Sequence, residues 1–269
     1  MKSRFKLRVL RFSPKPTSEL GNDPLFGILE DDQITISVIN GDPLFNGIAK
    51  SGQQTRLSEV RLLAPVLPRS KVVCVGKNYS DHAKEMGGEV PAEPIIFLKP
   101  NTSVIGPNDV IQWPWMSERI DHEAELAIVI SRICKDVPRE RANEVIFGYT
   151  VANDITARDL QSRDGQWTRA KGFDTFCPIG PWIDTDFIPG NQEISCIVNG
   201  EVKQHATLNQ MMFGVDEIVH FITSVMTLLP GDVILTGTPA GIGPIPEKGS
   251  VTCAISGLGE LTNKLSARG

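Results

Sequence analysis

Two glutamates one residue apart carry the strongest chemical signal in this chain. Asp121-His122-Glu123-Ala124-Glu125-Leu126-Ala127-Ile128-Val129-Ile130 reads as a strand. Side chains alternate along a strand, so Glu123 and Glu125 share one side, roughly 6–7 Å apart, while His122, Ala124 and Leu126 take the other. Carboxylates that close raise each other's pKa unless a cation sits between them. The apolar run 126–130 has the pattern of a strand buried on both faces, and unpaired carboxylates at its mouth are costly. Further on, Val151-Ala152-Asn153-Asp154-Ile155-Thr156 ends an apolar run in an acid that could supply a third carboxylate. Oxygen donors with no Cys or His among them suit Mg²⁺ or Mn²⁺ better than zinc. Arg158, Gln161 and Lys171 follow. Arg158 and Gln161 could orient a substrate, although Arg158 serves equally well as an ion-pair partner.

A second candidate lies upstream. The short apolar strand at 71–76 runs into Lys77-Asn78-Tyr79-Ser80-Asp81-His82-Ala83-Lys84-Glu85-Met86-Gly87-Gly88. This pattern predicts a short helix, capped by Ser80 or Asn78 and ended by Gly87-Gly88. His82 and Glu85 are three apart on it and therefore neighbours. Such a pair either stabilises a helix surface or forms a general base, the carboxylate orienting the imidazole and raising its basicity.

Four blocks, DHEAELAIVI, GYTVANDITARDLQ, RAKGFDTFCPIGPWI and LLPGDVILTGTPAGIG, resemble in order and spacing the fumarylacetoacetate hydrolase family, over about residues 61–269. The resemblance implies Glu123, Glu125 and Asp154 as ligands of a divalent cation, Mg²⁺ or Mn²⁺, and Lys171 as a polar active-site residue. It assigns His82 and Glu85 to a lid segment carrying the water-activating pair. It also turns Thr238, read from the residues alone as part of a structural turn, into a candidate substrate contact. The implied fold is a mixed, β-dominated α+β fold. A small N-terminal β domain (residues 1–65) precedes a β-roll catalytic domain (residues 66–269). The family also implies a homodimer.

The chemistry expected of such a site is enolate chemistry. A 2-oxo acid chelates the metal, which stabilises the enolate formed when a bond at C3 breaks. Water attack on an acyl carbon gives acylpyruvate hydrolysis, with His82 and Glu85 activating the water. Loss of CO₂ gives oxaloacetate decarboxylation, and movement of a proton alone gives isomerisation. Lys171 offers positive charge to the enolate oxygen. The leading expectation is metal-dependent C–C cleavage of short 2-oxo or 2,4-dioxo acids. The alternative is isomerisation or decarboxylation of 2-hydroxyhepta-2,4-dienedioate-type intermediates of aromatic catabolism. A non-catalytic 2-oxo acid binding protein is the reading from another class, and it leaves a base such as His82 without a purpose.

The whole chain sets outer bounds. Its 269 residues, 41% hydrophobic and 22% charged, describe an ordinary globular protein, and a net charge of −5 argues against nucleic acid as a partner. No run has the length of a membrane span and residues 1–20 lack a signal-peptide core, so a cytoplasmic location is expected. Five scattered cysteines without a C-x-x-C are expected as buried thiols. No G-x-G-x-x-G after a strand, no P-loop and no G-x-S-x-G occur, which counts against nucleotide cofactors and a serine nucleophile. Residues 162–171 read as a polar loop, and 215–229 as a helix with an apolar stripe. Asn199-Gly200 and 257–259 read as hairpin turns.

Overall fold

The computed structural model describes residues 7–16, 18–85, 87 and 90–269. Its centre is the strand Ala124–Ile130, all seven residues of which are buried. The unbroken apolar sequence requires this, because each face must lie against other protein. Ala124, Leu126, Ile128 and Ile130 join the main hydrophobic core, whereas Ala127 and Val129 join a smaller cluster on the other face with Cys74, Ala152 and Leu235. Glu123 and Glu125 continue the second row, so alternation projects them away from the main core.

This strand lies between two partners. Ile146–Asn153 pairs antiparallel with it, placing Ala152 opposite Glu125 and Asn153 opposite Ala124. Val233–Leu235 pairs antiparallel on the other side and parallel with Val72–Gly76, which in turn pairs with Ile95–Lys99. In the other direction the sheet continues through Cys177–Asp184 to Arg8–Pro14 and the N-terminal strands, making a 12-stranded sheet. The N-terminal strands also enclose a small cluster of their own around Leu10, Phe12, Ile36 and Val38. A five-stranded sheet including Glu193–Val198, Ser250–Ile255 and Gly259–Leu265 packs against the main core. The fold is thus β-dominated, and the helix Val215–Val225 packs Ile218, Val219 and Ile222 into the main core.

Local expectations mostly hold. Asn199 and Gly200 both take positive φ in a hairpin turn between Glu193–Val198 and Glu201–Thr207. All five cysteines are buried and free. The helix expected over 80–85 forms, and Gly87 follows it with positive φ, whereas Gly88 lies outside the described residues. The helix expected over 215–229 ends at Val225, because Met226 turns extended and Leu228 exchanges backbone hydrogen bonds with Cys134. The segment 162–171, expected as loop, instead holds the end of the helix Arg158–Asp164 and most of a second, Thr168–Gly172. Its polarity marks exposed helix faces, since Leu160 and Ala170 point into the core.

Candidate active site

The three carboxylates predicted from the sequence converge. Asp154 follows the Ile146–Asn153 strand, and its backbone N–H donates to the Glu123 carbonyl at 2.9 Å. The side-chain oxygen of Asn153 accepts from the Glu123 N–H at 2.9 Å. The Asn-Asp pair therefore fixes both the register and the angle at which Glu123 enters. One oxygen from each of Glu123, Glu125 and Asp154 lies within 4.8 Å of the others, and all three residues are buried. Gly237 donates its N–H to Glu125 at 2.6 Å. It adopts φ +98°, and a Cβ there would come 2.6 Å from that of Asn78, so glycine alone lets the backbone reach the carboxylate.

Cations surround the triad. Lys171 Nζ donates to Glu123 at 2.8 Å and Asp154 at 2.6 Å. Burial opposes its charge, but Asp154 and Glu123 outweigh that and raise its pKa. Arg158 bridges Glu123 and Asp121, donating to Asp121 at 2.9 Å, and also donates to the Gln161 side-chain oxygen. Arg158 is therefore an ion-pair partner, and it also stands on the cavity wall. Lys99, fully buried at the end of its strand, donates to Asp154 and to the Ile155 carbonyl. The sequence reading passed over Lys99 because its context, Phe97-Leu98-Lys99-Pro100, resembles a strand end with a solvent-facing lysine. A charged residue in phase with Phe97 on an otherwise apolar strand was the available signal.

These charges bear on whether a metal fits. Burial, reinforced by Asp154 and Glu123, pushes the Glu125 carboxyl well above its ordinary range. Burial works the same way on Glu123, but Lys171 and Arg158 reverse it and hold that group far below. A set of three carboxylates in which one resists ionisation is completed by a further positive charge, and oxygen-only donors suit a hard divalent ion. The residues fit Mg²⁺ or Mn²⁺.

His82 meets the same cavity, with Glu85 behind it and off the cavity wall. His82 is buried, and its Nδ1 lies 3.1 Å from Glu85 Oε2, within hydrogen-bonding distance of a carboxylate that orients the ring. Glu85 also accepts the Gly241 N–H at 3.1 Å, which ties the helix to the glycine-rich loop. At its base, Asn78 hydrogen-bonds the Thr236 carbonyl at 2.8 Å and both backbone groups of Phe213. Thr238 borders the cavity, but its hydroxyl donates to the Ala124 carbonyl at 2.9 Å and accepts from Gln204 at 2.8 Å. Its proton is thus committed to the fold. His82, Glu123, Glu125, Asp154, Arg158, Gln161, Lys171 and Thr238 all line one cavity of about 30 Å³, roughly the space of a single water. Trp113 and Trp115 do not reach it, whereas Phe97 and Trp167 do. A larger cavity, about 1120 Å³, lies elsewhere and shares none of these residues.

A β-rich fold that brings an acidic triad, a buried lysine and a histidine into one cavity is the architecture of an enzyme class. Comparison with known proteins places the chain within that class. Residues 71–266 match the family model for the fumarylacetoacetate (FAA) hydrolase C-terminal domain, and residues 8–65 match that of Rv2993c-like N-terminal domains. The chain belongs to the fumarylacetoacetate hydrolase family. The mitochondrial oxaloacetate tautomerase Fahd2a of Rattus norvegicus is 44% identical over 219 residues, 77% of this chain and 70% of that protein. The 2-hydroxyhepta-2,4-diene-1,7-dioate isomerase of Mycobacterium marinum superposes with a TM-score of 0.88 at 48% identity, covering 98% of this chain and 99% of that one. The fumarylpyruvate hydrolase of Pseudomonas aeruginosa, in complex with Mn²⁺ and pyruvate, superposes with a TM-score of 0.71 at 34% identity, covering 77% and 92%. No helix among the described residues is long and apolar enough to cross a membrane.

Proposed function

We propose that this protein is a divalent-metal-dependent enzyme that moves a proton at the carbon next to the oxo group of short 2-oxo acids, a tautomerase or isomerase by reaction type. The observation that carries this reading is His82, backed by Glu85 at 3.1 Å, lining the same cavity as the acidic triad and Lys171. Glu123, Glu125 and Asp154 would hold the ion, which when bound would supply Lewis-acid stabilisation of enolate charge. His82 Nε2 takes the proton from C3, and the electron pair of that C–H bond becomes the new C–C double bond. Glu85 stabilises the imidazolium. The Lys171 ammonium, held by two carboxylates, presents positive charge to the substrate oxygen on which negative charge grows. Return of the proton to that oxygen gives the enol, and its return to a more distant carbon shifts a double bond. The names of the tautomerase and isomerase at 44% and 48% identity support this outcome.

The second reading is C–C cleavage. His82 then deprotonates a water that attacks the acyl carbon at C4, and the C3–C4 bond breaks to leave the same enolate. The hydrolase at 34% identity supports this outcome.

The test follows keto–enol conversion of oxaloacetate and pyruvate release from acetylpyruvate, with EDTA, Mg²⁺ or Mn²⁺. Activity should vanish with EDTA and return with either ion. His82→Ala should lower the rate by about 10²–10⁴-fold, and Lys171→Ala should impair every substrate. Undiminished conversion by His82→Ala would remove the base from the scheme. Pyruvate release without oxaloacetate conversion would put the second reading in place of the first.

A further inference from the structure

The carboxylate cavity has room for little more than a water, and even a four-carbon oxo acid is several times larger. A second cavity, about 660 Å³, lies next to it. The two share a wall made of Phe97 and Trp167, and Lys99, which holds Asp154, also borders the outer space. The rings meet edge to face, with centroids 5.1 Å apart and planes at 78°. On the inner side the Phe97 ring lies 5.2 Å from Lys171 Nζ. The indole also presses on the end of the 72–76 strand, since a Cβ on Gly76 would come 2.8 Å from Trp167 Cζ3. Trp167 sits in the short connection between two helices, and its carbonyl accepts the N–H of Lys171 at 2.9 Å. Trp167 and Lys171 therefore belong to one short segment.

The outer cavity is lined by Ile95, Leu98 and Pro100 together with Lys71, Gln166 and Thr168. Apolar walls with a few polar groups suit a flexible aliphatic chain. We propose that the outer cavity receives the distal part of the substrate and that Trp167, packed on Phe97, determines the chain length admitted. The ligand class is the linear 2-oxo acid, its oxo-acid end at the carboxylates and its chain passing Trp167. This inference rests on the 2-oxo acid reading and names the part of the substrate that the inner cavity does not hold.

The test is calorimetric binding of pyruvate and α-ketooctanoate to the full chain with Mn²⁺, which requires no turnover. Trp167→Ala removes the wall and should raise the preference for α-ketooctanoate over pyruvate by about tenfold or more, the scale of a changed hydrophobic-pocket contact. Thr168→Trp, which fills the outer cavity from an exposed position, should lower that preference by a similar factor. The second variant keeps the question decidable if Trp167→Ala does not fold. A preference unchanged across the folded proteins overturns the outer-cavity proposal alone. Failure of the unaltered protein to bind either acid overturns the 2-oxo acid reading, and this inference with it.

Discussion

At the scale of residues, the site is a balance of buried charge. Three acids, Glu123, Glu125 and Asp154, face three cations, Lys99, Lys171 and Arg158, all of them buried. Removing one partner of a buried ion pair leaves the other uncompensated, at a cost on the order of 3–5 kcal/mol. Lys99→Met keeps the length of the side chain and deletes its charge. It should therefore lower the thermal midpoint of the metal-free protein. Added Mn²⁺ should then stabilise Lys99→Met more than the unaltered protein, because the ion compensates Asp154 in place of the ammonium. Thermal unfolding with and without Mn²⁺ measures both effects, and an equal Mn²⁺ gain in the two proteins would show that Lys99 does not serve to neutralise Asp154.

At the scale of elements, the site depends on strands that approach closely. Gly148 lies in the strand leading to Asn153 and Asp154. A Cβ there would come 2.6 Å from the Asp184 carbonyl oxygen and 2.7 Å from Ile183 Cγ2 in the neighbouring strand. Both neighbours are anchored in the sheet, so Gly148→Ala must part the 146–153 and 177–184 strands. Overpacking of this kind costs about 1–3 kcal/mol. The expected result is a lower thermal midpoint, and an unchanged midpoint would mean that the strands separate freely at that point. The same elements show where local sequence misleads. The polar string Ser162-Arg163-Asp164-Gly165-Gln166-Trp167-Thr168-Arg169 reads as loop because its apolar contacts are few and widely spaced. Its two ends form helix, on either side of a bend at 165–167, because Leu160 and Ala170 anchor them.

At the scale of the whole molecule, the N-terminal strands extend the catalytic sheet through the pairing of Arg8 with Asp184 and Val9 with Ile183, while keeping a small core of their own. We propose a homodimer as the working unit. Ile188, 80% exposed beside a cavity lined by Ile48, Ile146 and Phe147, is apolar surface of the kind a partner covers. Light scattering should give about twice the 29.4 kDa of one chain, and a mass near that of one chain would exclude the dimer.

The sequence by itself determined the parts of this protein that depend on neighbours along the chain. Alternation in 121–130 put Glu123 and Glu125 on one side of a doubly buried strand, and i,i+3 spacing paired His82 with Glu85. Asn199-Gly200 marked its hairpin through the positive φ that those residues tolerate. Asp154 was legible as a third acid, although only the pairing of the 124–130 and 146–153 strands set it beside Glu123. Tertiary structure alone decided that Lys99 is buried against Asp154, that Thr238 commits its proton to Ala124 and that Trp167 stands at the cavity wall. Each of these rests on contacts between residues far apart in the chain, and neither periodicity nor residue type encodes which distant backbone or side chain will arrive there.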